Sequence, residues 1–525
     1  MKSNKFNIII ALLGVVIGVL ITLIGQKAIG TKKFDGDYNR WRKLNLILQE
    51  VQKNYVDTID MKGMTDAAVT AALAKLDPHS VYLPPVELEA SDTELAGNFE
   101  GIGITFNVPN DTAIVLSTVQ GGPSEKAGLM AGDRILKVND RIIAGTKTPQ
   151  DSMVRMMKGP AGSKVNISVS RDGQLIPFEI TRDKIPVHSI DAAFMVNDTL
   201  GYIKLTKFSR TTFKEFKDAA EKLLDLGMTS LVFDLRDNTG GYFDQALLLS
   251  NEFLPKGAGV VYMQGLNRPR QQYNADGNGK LQEVTLTVLI DEGSASSSEI
   301  FAGAIQDNDR GVIVGRRSFG KGLVQEPINF TDGSGIRLTV ARFYTPSGRC
   351  IQKPYDKNYN YDIFERYAHG EMTSADSMKV DSTALYYTTK GRKVYGGGGI
   401  VPDVFVPIDT TKATKFFINC NKKAVMMRFA SNLFDRYKSK LSSIDDFGRL
   451  DRWMNEIGIE QEFLSYAERV ENLKPEAGEW SETKKYMMPQ VKALVGRYSK
   501  LQDEAFYRFF HPIDNEFNAA IKASY

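Results

Sequence analysis

Four serines fall within five positions of the stretch DEGSASSSE, at Ser294, Ser296, Ser297 and Ser298, just after an apolar run. A serine at a strand-to-helix turn has its hydroxyl at a helix N-terminus, where unpaired amides and the helix dipole favour negative charge. That setting suits a nucleophile whose attack on a carbonyl creates an oxyanion. The same residues also fit a purely local role, because Ser296-x-x-Glu299 is a capping box in which the glutamate reaches back to the cap. A cap needs no proton acceptor and a nucleophile does, so the choice rests on finding a base.

Histidine offers none by pattern. His79, His188, His369 and His511 are scattered, none sits in a local motif, and each reads as a surface or packing residue. The chain has no HExxH sequence and no GxSxG elbow around the serines, so it lacks the signatures of one metallopeptidase class and of the α/β-hydrolases. Cys350 and Cys420 form no CxxC or Cys/His cluster, so no zinc site follows from them, and no metal or cofactor is expected. A lysine does better. In RRSFGKGLVQEP, Lys321 stands between two glycines and close to Phe319. Lysine is a general base only when neutral, a state that desolvation or a nearby positive charge favours.

The elements that must hold these residues are α/β in pattern. The buried strand VTLTVLI leads into the serines, and Ile300, Phe301, Ala304 and Ile305 give the following helix one apolar face. SLVFDLRDNTGG reads as a second apolar strand, ending in Gly-Gly before the helical YFDQALLLSNEFL. Such alternation predicts a layered α/β core over residues 185–410, with a polar, tyrosine-rich insertion at about 353–395 and a last strand in GGGGIVPDVFVP. Residues 34–97 alternate helical pattern with breaks at Pro78 and Pro84. Residues 411–525, rich in mixed charge and aromatics, predict a helical C-terminal domain with no visible chemistry, and a dimerisation or adaptor surface is the role we expect there.

Residues 98–184 read as short strands separated by glycine, among them GIGITFNV, TAIVLSTV and the strictly alternating KVNISVS. Within them GGPSEKAGLMAGDRILKVND, residues 121–140, resembles the central signature of a PDZ domain. Such domains capture chain ends by adding a peptide to a strand edge while backbone amides hold its carboxylate. The loop Gly101, Ile102, Gly103 and Ile104 would supply those amides.

The 525 residues carry a net charge of +3, which implies neither nucleic-acid binding nor a strongly acidic surface. Residues 8–25 form an 18-residue run broken only by glycine and Thr22, just long enough to cross a hydrocarbon core of about 30 Å. A cleaved signal peptide is the competing reading, but Lys27 and the AIG at 28–30 make a poor cleavage region. An uncleaved anchor within residues 1–33 is expected. Lysines on both sides leave its orientation open.

Taken together, SASSSEIFAGAIQDNDRGVIVGRRSFGKGLVQ and the following RLTVARFYTPSGRCIQ resemble the catalytic core of the C-terminal processing, or tail-specific, serine peptidases. The resemblance runs from the N-terminal helical segment through the PDZ region to GIVPD at 399–403, and leaves out the insertion and the C-terminal domain. It implies a core of the ClpP/crotonase type and a serine–lysine pair whose spacing selects Ser296 and, as its base, Lys321. It further implies Gln325 as the residue that orients the lysine. Gly240, Gly241 and Ser297 are candidate oxyanion donors through their amides, although the family more often has Asn-Pro where this chain has Asn238-Thr239. Asp307 matches a family position near the site, and its spacing suits a structural role. The expected protein is a membrane-anchored, extracytoplasmic endopeptidase that reads apolar C-terminal tails of proteins. Its rivals are an inactive PDZ adaptor and a histidine-dependent hydrolase using His79 or His188.

Overall fold

The computed structural model describes residues 38–524, leaving out 96, 109–110, 120, 172, 356–358, 379–382 and 410–412. The expected anchor at 8–25 lies outside the described residues. Among the described residues no helix is long and apolar enough to cross a membrane.

Two compact units make up the chain, Met1–Ala72 and Leu73–Tyr525. The first contributes the helix Tyr38–Asn54, as the helical spacing of WRKLNLILQEVQKNYV predicts, and all but the last residue of the helix Met61–Leu73. The segment expected at 34–97 spans this boundary, since residues from 73 onward belong to the second unit. There the strand Val81–Leu83 pairs antiparallel with Gly335–Tyr344. A three-residue strand has no periodicity of its own, and only its distant partner defines it.

The second unit is organised around a six-stranded sheet. In spatial order its strands are Ile190–Met195, Leu200–Leu205, Ser230–Asp234, Thr285–Ile290, Val312–Gly315 and Val404–Phe405. The first pair is antiparallel and the rest are parallel. Side chains alternate between two faces, as the strand period of two demands. Leu231, Phe233, Val288, Ile290 and Ile313 pack with the helices Thr212–Asp225, Phe243–Phe253 and Ser297–Asp307. Val232, Leu289 and Val314 face the opposite way, onto Phe517 and Ala520. A second sheet combines Gly335–Tyr344 with Leu323–Asn329, Gly259–Gly265 and Arg268–Asn274.

The glycine-punctuated region folds as expected. Its main sheet runs Ile104–Asn107, Ala113–Thr118, Arg134–Val138, Lys164–Arg171 and Gln174–Thr181, and the helix Gln150–Met157 buries Met153 and Met157 in its core. Asn98–Gly101 and Asp183–Pro186 pair with each other where the chain enters and leaves.

The C-terminal region divides in two. Helices between Lys415 and Phe510 build their own core around Phe429, Leu433, Phe434 and Phe463. The last helix, Asn515–Ala523, instead covers the far face of the six-stranded sheet. The region expected at 411–525 is thus helical throughout its described residues, in two parts. Phe517 and Ala520 stand three apart, a spacing that gives a helix one apolar side but does not say which sheet it meets. Cys350 and Cys420 are both free.

Candidate active site

Three neighbouring parallel strands end side by side and feed three loops. Ser230–Asp234 runs into the glycine turn 235–241, Thr285–Ile290 into the serine loop, and Val312–Gly315 into the lysine loop 316–322. The carboxyl ends of parallel strands are where such sheets gather their chemistry.

The four serines are not equivalent. Ser294 Oγ donates to the Leu235 carbonyl at 2.8 Å and accepts from the Asp291 amide at 2.9 Å. Ser297 Oγ donates to the Gly241 carbonyl at 2.9 Å, and Ser298 Oγ to the Asn238 carbonyl at 2.8 Å. All three are buried and peg the serine loop to the glycine turn. Ser296 alone is half-buried, at the N-cap of the helix Ser297–Asp307. Its φ of +55° is unusual for a residue with a side chain, and backbone strain of this kind gathers at functional sites.

The capping box forms, and it does more than cap. Glu299 is fully buried, and its Oε2 accepts the amides of Ser296 at 2.8 Å and Lys321 at 2.9 Å. Its Oε1 accepts the Gly320 amide at 2.7 Å and the Ser318 hydroxyl at 2.5 Å. One carboxylate thus clamps the backbone of the serine loop to that of the lysine loop. Burial pushes the Glu299 carboxyl above its usual range, against the pull of these four donors.

The glycines beside Lys321 are sterically required. A Cβ on Gly322 would lie 2.9 Å from the Gln352 amide nitrogen, and Gly320 has a φ of +90°. Burial holds the Lys321 ammonium below the ordinary lysine range, opposed by the charge of Glu299 and reinforced by that of Arg337. Among the described residues no hydrogen bond joins Lys321 to Ser296, and Glu299 is their common partner.

Gln325 departs from the expectation. Its Nε2 donates at 2.5 Å to the carbonyl of His79, not to Lys321. The register of Leu323–Asn329 against Gly335–Tyr344 shifts between Val324 and Gln325. A bulge of that kind re-aims the side chain beside it.

The glycine turn also differs. The Gly240 amide is taken up at 2.9 Å by Asn238 Oδ1 in a local Asx turn, which corrects Gly240 as a free oxyanion donor. Its φ is +95°, and a Cβ there would meet Ser296 Cβ and the Ser297 amide, each at 2.8 Å. Gly240 therefore makes room for Ser296, and the amides of Gly241 and Ser297 remain as the candidate donors.

Residues outside these motifs complete the site. Asp77 Oδ1 accepts the amides of His79 and Ser80, each at 2.8 Å, and so builds the turn that presents the His79 carbonyl. The His79 ring meets the Tyr359 hydroxyl at 2.5 Å, and burial together with the charge of Lys321 pushes its imidazole down to about 4. Among the described residues no histidine bonds to Ser296. His188 and His369 are exposed, and His511 stacks on Phe517 at 3.5 Å.

Tyr359 lies in the expected insertion, which proves to be a wall of the site. Lys353 Nζ sits 4.0 Å above the Phe319 ring, and Arg366 donates to the carbonyls of Arg317 and Ser318 in the lysine loop. Asp307 is structural, as expected, in a buried ion pair with Arg349 at 2.7 Å. Gly101, Ile102, Gly103 and Ile104 lie where Asn98–Gly101 gives way to Ile104–Asn107. That second strand is an edge of its sheet among the described residues, as strand addition requires.

A model of peptidase family S41 matches residues 199–360, and a PDZ domain model matches residues 101–181. The carboxy-terminal processing protease CtpA of Bacillus subtilis is 33% identical over 334 residues, 63% of this chain and 70% of that protein. The carboxy-terminal-processing protease of Bartonella bacilliformis is 33% identical over 352 residues, 66% of this chain and 80% of its own. Among solved structures, a photosystem II D1 C-terminal processing protease is 27% identical and covers 69% of this chain and 86% of its own, with a TM-score of 0.38. All three loops at the strand ends fall within the 199–360 match. On that match, and on its identity to CtpA over more than two thirds of that protein's length, the chain belongs to peptidase family S41, with the carboxy-terminal processing serine proteases.

Proposed function

We propose that the protein is an endopeptidase in which Ser296 is the nucleophile and Lys321 its general base, acting on polypeptides whose apolar C-terminal tails dock on the PDZ domain. The observation that carries this reading is the sorting of the four serines. Three hydroxyls peg loops together, and the one left half-buried at the helix N-terminus shares Glu299 with the lysine loop. Neutral Lys321 takes the Ser296 proton as Oγ attacks the scissile carbonyl. The amides of Gly241 and Ser297 stabilise the oxyanion. The lysine then protonates the leaving amine, and water, deprotonated by the same lysine, releases the acyl group from Ser296. Gln325 acts one step away, by holding the His79 turn against the site. The tail would add to the edge of Ile104–Asn107, its carboxylate held by the loop Gly101 to Ile104. We further propose that residues 8–25 anchor the chain and that the catalytic unit is extracytoplasmic.

The test is a loosely folded reporter with an apolar C-terminal tail, incubated with the chain lacking residues 1–33, beside a polar-tailed control. Cleavage of the apolar-tailed reporter is expected, weak on the control and lost in Ser296→Ala and Lys321→Ala. Tail binding without cleavage by the parent protein would favour the adaptor reading. Turnover that survives Ser296→Ala would remove the proposed nucleophile.

A further inference from the structure

The mechanism above leaves two arginines without a role, Arg316 buried and Arg236 nearly so. Arg236 lies at the start of the glycine turn, just before Asn238, and Arg316 opens the lysine loop. Both are held from the C-terminal helix. Glu516 Oε2 pairs with Arg236 at 2.6 Å, and Glu516 Oε1 pairs with Arg316. Asp514, which caps the same helix by accepting the amides of Glu516 and Phe517, pairs with Arg236 at 2.9 Å. Arg316 also reaches Glu292 in the serine loop at 2.8 Å. Arg236 returns to Asp234, at the end of its own strand, at 2.6 Å.

We propose that Glu516 is a positioning residue for the peptidase reaction. Through Arg236 and Arg316 it holds the glycine turn, the serine loop and the lysine loop in the relative placement that turnover requires. Glu299 ties the serine and lysine loops from within, at the level of their backbones. Glu516 ties the same loops and the glycine turn from behind the sheet, through side chains. The role follows from the bridging geometry. A carboxylate that only docked the helix would need one arginine, and this one joins two that lead into different catalytic loops. The inference rests on the reading of Ser296 and Lys321 as the reacting pair.

Buried charge pairs are costly to break, so loss of stability has to be separated from loss of placement. The opposite end of the same helix supplies the control. Ser524 Oγ meets Thr287 Oγ1 at 2.8 Å, on the strand before the serine loop but away from its tip. Glu516→Gln, Ser524→Ala and Ser296→Ala would be compared in the full chain by kcat, KM, tail binding and thermal melting. Glu516→Gln is expected to lower kcat on the order of 10²-fold, the cost of a misplacement of about 1 Å, with KM and tail binding unchanged. Ser524→Ala is expected to lower the melting temperature and leave kcat unchanged below it.

When Glu516→Gln folds, the proposal is overturned in either of two ways. One is wild-type kcat in Glu516→Gln beside an inactive Ser296→Ala. The other is an equal fall of kcat in Glu516→Gln and Ser524→Ala, which would reduce Glu516 to a docking contact. If Glu516→Gln fails to fold, the double variant Glu516→Gln/Arg316→Gln removes opposite charges together. Folding recovered without kcat supports the role, and recovery of both overturns it. Turnover that survives Ser296→Ala would remove the reading beneath the proposal and the proposal with it.

Discussion

A lysine that accepts a proton near neutral pH must be short of water and of strong anionic partners. Lys321 meets the first condition through burial, while Glu299 directs its oxygens to backbone amides and the Ser318 hydroxyl. Below its depressed pKa the lysine is charged and cannot act as base, and above it the amine is free. kcat/KM is therefore expected to rise with pH along a limb whose midpoint lies below the ordinary lysine value of 10.5, and a profile flat across that range would count against Lys321. Glu299→Gln is a sharper probe. A carboxamide keeps one acceptor oxygen and turns an NH2 group toward donors that need an acceptor. We expect a loss of about 1–3 kcal/mol in stability, read by denaturant unfolding, and a fall in kcat beyond what the remaining folded fraction explains.

At the scale of elements, the site is a product of strand ends and tight turns. Gly240→Ala would drive a Cβ to within 2.8 Å of both Ser296 Cβ and the Ser297 amide, in a conformation that already favours glycine. A fall in kcat of about 10²–10³-fold is expected, comparable to removal of one oxyanion donor, with KM little changed. Much at this scale was legible from local pattern. The strands, the helix after the serines and the capping box all follow from period and cap chemistry. The Asx turn that takes up the Gly240 amide was equally local, since asparagine commonly bonds the backbone two residues on. The re-aiming of Gln325 was not, because a bulge depends on the register of a partner strand. Nor did the pattern separate the four serines. Their difference is that the hydroxyls of Ser294, Ser297 and Ser298 each meet a carbonyl of the glycine turn more than fifty residues away, and that of Ser296 does not.

In the second unit as a whole, distant segments meet at one place. His79 meets Gln325, Tyr359 meets Phe319 and Glu516 meets Arg316, all from outside any motif, and no periodicity in the chain predicts contacts over such separations. The PDZ region is likewise held by the helical bundle downstream of the core. Leu116 and Ala131 pack on that bundle's core, and Arg134 pairs with Asp435 at 2.5 Å. The ion pair is partly exposed and worth at most about 1 kcal/mol, so the apolar contact carries the docking. Ala131→Glu is expected to release the PDZ region, seen as a larger radius of gyration in solution scattering, while Arg134→Ala leaves it docked. Tail affinity should change in Ala131→Glu alone, because the edge strand Ile104–Asn107 itself touches the bundle through Asn107 Nδ2, which donates to the Tyr498 hydroxyl at 3.3 Å. The position of Glu516 also has a consequence for biosynthesis. Ribosomes make the chain from its N-terminus, so Ser296 and Lys321 emerge long before the carboxylate that braces their loops. On the proposed role of Glu516, a nascent chain would have only a small part of its final activity beside its own unfolded segments until residues beyond 516 had been made and docked.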